Sequence, residues 1–135
     1  MKILLDTNAY SAIGRGHPEA TDLMRRSEAL ILSTVVLGEI LAGFRHGSRW
    51  DVNMGELRRF LTEPRVSVAH VTESTADRYS RIYTTLRREG TPIPTNDMWI
   101  AAHALETGAH LVSFDSHFGH VAGLSWIDPG VAPPL

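Results

Sequence analysis

The sequence predicts an α/β protein: a central parallel sheet covered by helices on both faces. Three observations lead there. Short apolar runs alternate with amphipathic stretches along the whole chain. Ile3-Leu4-Leu5 and Leu30-Ile31-Leu32 are apolar at consecutive positions, so both faces of each strand call for burial. The 135 residues also carry no internal repeat, low-complexity tract or linker, which suits a single layered domain over 1–135.

Residues 2–5 read as a buried strand that stops at Asp6. A short helix over 7–13 ends at Gly14-Arg15-Gly16. Pro18 suits the first turn of a helix over about 18–28. Residues 30–32 form the second strand, and Ser33 or Thr34 caps a helix over 34–45, with Gly47 as its stop. A polar helix covers 50–62 and ends before Pro64. Val66-Ser67-Val68 is the third strand. Ala76, Tyr79, Tyr83 and Leu86 share one face of a helix over 73–89, followed by Gly90. The prolines of Thr91-Pro92-Ile93-Pro94 keep that stretch extended. Thr95 is the expected cap of a helix over 96–107 that closes at Gly108. Leu111-Val112 sit in a fourth strand ending at Ser113, and 124–127 is a candidate fifth. The Pro-rich tail, 129–135, is expected to fray.

Composition narrows the chemistry. There is no cysteine, which removes disulfide frameworks, thiolate zinc sites, iron–sulfur clusters and cysteine nucleophiles. Twelve of the thirteen basic residues are arginine and Lys2 is the one lysine. A P-loop NTPase therefore lacks its lysine, as do the phosphatase and receiver families that need one far from the N-terminus. No apolar run is long enough to span a bilayer, and Met1-Lys2-Ile3-Leu4-Leu5-Asp6 has no signal-peptide pattern, so a soluble, cytoplasmic protein is expected.

Four acids stand out by position. In a parallel sheet, ligands bind beyond the carboxyl ends of the strands. Asp6 directly follows the first strand and Asp115 follows the fourth. An aspartate after a strand also serves as an ordinary helix cap, so neither is decisive alone. Glu39 falls within the stripe of Val35, Val36, Ala42 and Gly43. Asp97 shares a face with Ile100, Ala101, Ala104 and Leu105. A buried carboxylate costs several kcal/mol unless it is paired, hydrogen-bonded or bound to a metal. A helix N-terminus relieves Asp97, but Glu39 is mid-helix. Four converging carboxylates would repel strongly without a divalent cation. With oxygen donors, no thiols and no paired-histidine motif, Mg²⁺ or Mn²⁺ is the natural ion, and such sites serve phosphate chemistry.

These residues carry a resemblance. The chain resembles the PIN-domain ribonucleases, specifically the VapC-type toxins of toxin–antitoxin pairs. The likeness rests on Leu4-Leu5-Asp6-Thr7-Asn8, Val36-Leu37-Gly38-Glu39-Ile40, Ile93-Pro94-Thr95-Asn96-Asp97 with Ile100-Ala101-Ala102, and Leu111-Val112-Ser113-Phe114-Asp115-Ser116-His117-Phe118, in order and at family spacing. It implies a three-layer α/β/α sandwich with a parallel sheet. It also implies an Mg²⁺- or Mn²⁺-dependent endoribonuclease whose catalytic and metal-binding acids are Asp6, Glu39, Asp97 and Asp115. Ser113, Asn8 and Asn96 fall on positions that support the acids by hydrogen bonds. The partners implied are RNA, a second copy of the chain and a cognate antitoxin that lays a segment across the toxin groove.

Competing readings remain at this level. A PIN-like RNA-binding or scaffold module keeps the fold without catalysis, though the acid set is complete. A metal-dependent phosphatase lacks its Asp-x-Asp motif, because Asn8 stands at the second position. A deoxyribonuclease needs only the same metal chemistry. Among the remaining residues, His117 is expected to be a surface loop histidine and Gly14-Arg15-Gly16 a plain helix stop. Tyr79 and Tyr83 are expected in core or dimer contacts. Arg45, Arg49, Arg58, Arg59, Arg87 and Arg88 either line an RNA path or form solvated helix faces. The net charge is −2. Setting the four acids aside leaves 13 basic against 11 acidic residues, or +2, so the balance does not oppose a nucleic-acid partner.

Overall fold

The computed structural model describes residues 1–131. Among them, strands β1 (Lys2–Leu5), β2 (Ala29–Ser33), β3 (Val66–Ala69), β4 (His110–Val112) and β5 (Trp126–Ile127) form one parallel sheet in the order β3-β2-β1-β4-β5. The helices are α1 (Thr7–Gly14), α2 (Pro18–Arg26), α3 (Thr34–His46), α4 (Trp50–Leu61), α5 (Glu73–Glu89) and α6 (Thr95–Thr107). A short 3-10 helix, Ser116–His120, follows β4. The expected three-layer α/β/α architecture is the one found. Its physical basis is plain in β1, where Ile3, Leu4 and Leu5 are all fully buried. Successive strand side chains point to opposite faces, so both faces must be covered.

The topology places a crevice. The chain winds outward from β1 through β2 to β3, then returns to the other side of β1 to lay down β4 and β5. Leu4 registers with Ile31 on one side and with Leu111 on the other. The strand order therefore reverses between β1 and β4, and a parallel sheet opens a crevice at that switch point, beyond the carboxyl ends of the strands. Asp6 and Ser113 are the first residues past those two ends.

Local chemistry sets the element ends, in places differently from expectation. Helix α2 stops at Arg26. Arg65 donates to the carbonyls of Met24 and Ser27 at 2.8 and 2.9 Å, satisfying oxygens at that helix end. Ser33 caps α3, its Oγ accepting from Val35 N–H at 3.0 Å. Thr95 is the first residue of α6 and Pro94 holds the cap position, without a side-chain capping bond. Helices α5 and α6 close on Gly90 and Gly108 at φ 73° and 68°, a conformation that favours glycine. In α3 the buried stripe runs through Val36 and Ile40, while Ala42 and Gly43 are exposed. Glu39 is consequently half-buried at the margin of that stripe. Of the tail, Pro129 is buried and Gly130 donates its N–H to Asp128 Oδ1 at 2.8 Å, so fraying does not begin at 129. Residues 132–135 lie outside the described residues.

Candidate active site

Asp6 anchors the site. It is 7% exposed and caps α1, Oδ1 accepting from Ala9 N–H at 2.9 Å. Its other oxygen, Oδ2, accepts from the hydroxyl of Ser113 at 2.5 Å. The two strand ends at the switch point are thus joined by one side-chain bond. Burial raises the Asp6 carboxyl to about 6, and the negative charges of Asp97 and Asp115 push the same way against the two hydrogen bonds.

Ser113 also accepts from Asp115 N–H at 3.0 Å, and Asp115 Oδ1 accepts from His117 N–H at 2.9 Å as the cap of the 3-10 helix. This chain of bonds folds the loop after β4 back towards α6. There Asp97, in the first turn, is half-buried. Its carboxyl is raised, first by burial and then by the charges of Asp115 and Glu39, against the influence of His117. Glu39 reaches the same region from α3. Its Oε1 accepts from Thr7 Oγ1 at 2.6 Å and its Oε2 from Asn96 Nδ2 at 3.4 Å.

The structure therefore brings Asp6, Glu39, Asp97 and Asp115 into one electrostatically coupled group, with Ser113 and Asn96 bonded to it. One residue departs from expectation. Asn8 is exposed, and the support expected of it comes from its neighbour Thr7. The first turn of α1 turns Thr7, not Asn8, towards α3. His117 is at the surface, as expected. Its ring is 47% exposed, but Nδ1 stands 2.9 Å from Asp115 Oδ1 and 3.4 Å from Asp97 Oδ2. Ligand atoms of Asp97, Asp115 and His117 lie within 4.8 Å of one another, a group that does not include Asp6 or Glu39. The sequence signal was the Asp-x-His spacing at Asp115, which a helical turn converts into proximity.

Aromatic and basic side chains form two further clusters. Tyr79 is half-buried and stacks on Trp99, centroids 4.0 Å apart, and on the exposed Tyr83 at 6.1 Å. Tyr79 packs against the core, as expected, and the stack runs outward to Tyr83 at the surface. Arg87 covers the far ring at 5.3 Å and donates to the Tyr83 hydroxyl at 2.9 Å. Arg45 lies 4.2 Å over the Trp50 ring. A separate cleft of about 530 Å³ is lined by Tyr10, Ile13, Phe44 and Phe60, with Arg49 and Arg59 among its polar residues.

A parallel α/β sandwich with acidic side chains gathered at its switch point belongs to the class of α/β folds that bind ligands beyond the carboxyl ends of their strands. The particular family is shown by comparison: the PIN domain family matches residues 3–124, and the chain belongs to it. Ribonuclease VapC1 of Haemophilus influenzae (strain R2866) is 29% identical over 133 residues, covering 95% of this chain and 98% of that protein. Plasmid stability protein StbB of Pseudomonas syringae pv. tomato is 31% identical over 135 residues, covering 94% and 97%. Among solved structures, VapBC2 from Rickettsia felis bound to a DNA fragment from its promoter matches with a TM-score of 0.81 at 25% identity, covering 94% of this chain and 98% of that one.

Proposed function

We propose that this chain, as a single PIN domain, is a divalent-metal-dependent endoribonuclease and the toxin of a type II toxin–antitoxin pair. The observation that carries the reading is the coupled group of Asp6, Glu39, Asp97 and Asp115 at the switch point of a PIN fold whose relatives are named ribonuclease VapC.

The donor set fits a metal. The charges acting on Asp6 are those of other carboxylates, Asp97 and Asp115. On Asp97, only His117 opposes Asp115 and Glu39 among the causes that shift it. Oxygen donors in mutual repulsion suit Mg²⁺ or Mn²⁺. Asp6, Asp97 and Asp115 would hold the ion, with Glu39 beside it. When bound, such a cation supplies positive charge against the phosphodiester and eases deprotonation of water. Glu39, hydrogen-bonded by Thr7 and Asn96, would orient the attacking water and accept its proton. Ser113 holds the Asp6 carboxylate in one rotamer, and the same bond ties β1 to β4.

A cognate antitoxin is the partner supported by relatives solved as VapBC complexes. The mixed cleft of Tyr10, Phe44 and Phe60, with Arg49, Arg59, Glu56 and Glu63 in its lining, offers a surface for its segment. We also infer a homodimer and an RNA substrate, the latter in keeping with the arginine-rich surface outside the acid group. No helix among the described residues is long and apolar enough to cross a membrane, which accords with a cytoplasmic site of action.

The test is cleavage of RNA and of matched DNA with Mg²⁺, with Mn²⁺ and in EDTA, using the wild type, Asp6→Ala and Asp97→Ala. Cleavage of RNA that needs the metal and both aspartates is expected. Undiminished cleavage in EDTA or in either variant would overturn the reading. Light scattering on the purified chain, with and without antitoxin, checks the assembly.

A further inference from the structure

His117 stands beside Asp97 and Asp115 and has no task in the proposed hydrolysis. Its position is imposed by the backbone. Ser113 Oγ accepts from Asp115 N–H at 3.0 Å and Asp115 Oδ1 accepts from His117 N–H at 2.9 Å. These two bonds pin the turn from β4 into the 3-10 helix. The ring is thereby brought back over the cleft, and its Nδ1 faces carboxylates from two different elements. It stands 2.9 Å from Asp115 Oδ1 and 3.4 Å from Asp97 Oδ2.

Those separations match a coordination polyhedron. Adjacent ligands of an octahedral cation at about 2.1 Å lie about 3 Å from each other. Nδ1 is 2.9 and 3.4 Å from the two carboxylate oxygens, near that spacing, and all three atoms lie within 4.8 Å of one another, so side-chain rotations are what closing on an ion requires. His117 is 47% exposed, so its ring is free to make those rotations, and Asp97 and Asp115 supply the anionic donors.

We propose that His117 is a metal ligand through Nδ1, forming with Asp97 and Asp115 a nitrogen–oxygen–oxygen set that selects a first-row transition cation such as Mn²⁺ over Mg²⁺. The inference rests on the metal-dependent nuclease reading and adds a donor that oxygen chemistry alone does not supply. Mg²⁺ is hard, keeps its waters and is served by oxygen donors. Imidazole nitrogen binds the later divalent ions more strongly, so exchanging one oxygen donor for nitrogen tilts the competition towards Mn²⁺. The opposing possibility is that His117 only sets a positive charge against the two carboxylates and leaves when the metal enters.

Electron spin-echo spectroscopy of the Mn²⁺-loaded full chain distinguishes the two. The wild type should show nitrogen-14 modulation from a directly bound imidazole. His117→Gln should lose it. His120→Gln, which removes an exposed histidine at the end of the same 3-10 helix, should keep it. Titration of metal-free protein should show Mn²⁺ affinity falling about tenfold or more in His117→Gln, with Mg²⁺ affinity changing less than about threefold. Bound Mn²⁺ without nitrogen modulation in the wild type overturns the proposal and leaves the nuclease reading standing, as does unchanged Mn²⁺ affinity in a folded His117→Gln. Failure of the wild type to bind either cation overturns both. The wild-type spectrum decides the matter even if the variant does not fold.

Discussion

Two strand ends in this sheet use the same device to different effect. Ser33 ends β2 and Ser113 follows β4; both are fully buried, and each hydrogen-bonds a titratable side chain. Ser113 bonds Asp6, whose carboxyl burial and neighbouring acids raise to about 6. Ser33 bonds His103 Nδ1 at 2.8 Å, and His103, on α6, is itself fully buried. The difference lies in topology. Between β1 and β2 the chain keeps winding in one direction, and α6 seals the end of β2 with the His103 ring. Between β1 and β4 the order reverses, and the crevice that opens is filled with carboxylates. The same polar strand ending is a fastening in one place and part of a reaction centre in the other. Removing residues at one end should therefore abolish activity, and at the other weaken the fold.

The largest expected effect is on activity. Asp97→Asn keeps the shape of α6 and the helix start but removes one anionic donor. RNA cleavage should fall by about a thousandfold, on the order of 4 kcal/mol in the transition state. Thermal stability should change little. At the sealed end the expectation reverses. His103→Ala deletes a fully buried ring and its bond to Ser33, and should cost about 3 kcal/mol in urea unfolding. Cleavage per folded molecule should stay within about threefold, since His103 touches none of the four acids. Equal loss of activity in the two variants would dissolve the contrast.

A subtler effect separates the two ends by pH. The Asp6 carboxyl titrates near 6 in the folded chain against 3.8 for the ordinary group. The folded state thus holds a proton that the unfolded state has already released. Stability should be undiminished by this group below about pH 4 and should fall as pH rises, with the loss complete above about pH 6 and amounting to about 3 kcal/mol at most. Asp6→Asn keeps one oxygen to accept from Ala9 N–H, turns an amide N–H towards the Ser113 hydroxyl oxygen, and removes the ionisation. In EDTA it should be more stable than wild type by about 2 kcal/mol at pH 8 and indistinguishable at pH 4, as read by chemical denaturation. A constant difference at both pH values would place the penalty elsewhere.

The sequence made the sheet and the acids legible for a shared reason. Ile3-Leu4-Leu5 and Leu30-Ile31-Leu32 announce doubly covered strands, and the residues just past such a strand in a parallel sheet are by construction at the ligand-binding edge. Asp6 and Asp115 stood in that zone by position, though neither was decisive alone, and Ser113 entered through the family resemblance. Glu39 and Asp97 were legible as acids close to apolar stripes, although the stripe in α3 lies nearer Val36 and Ile40 than its pattern suggested. The illegible parts depend on rotation within a single turn. Whether Thr7 or Asn8 faces α3 is decided by the angle at which α1 leaves β1. Whether His117 points outward or back is decided by a 3-10 turn too short to show a period. His103 looked like any helical histidine because its partner, Ser33, lies 70 positions away.

Thr7 offers the smallest and most specific test of the comparison. Its hydroxyl donates to Glu39 Oε1 at 2.6 Å, and a hydrogen bond to a charged group contributes about 1.5–3 kcal/mol when buried, less where the pair is partly solvated. Thr7→Val preserves shape and removes only the donor. If Glu39 orients the attacking water, the variant should lower kcat by about fivefold, near 1 kcal/mol, with KM for RNA almost unchanged. Thr7→Ser, which restores the hydroxyl, should recover most of the rate. A purely structural role predicts another pattern: lower unfolding stability, unaltered kcat, and no distinction between the valine and serine variants beyond packing. Because Thr7 sits one residue past Asp6, its behaviour also locates the boundary of the reaction centre along α1. An effect on kcat at Thr7 with none at the exposed Asn8→Ala would confine that centre to the side of the helix that faces α3.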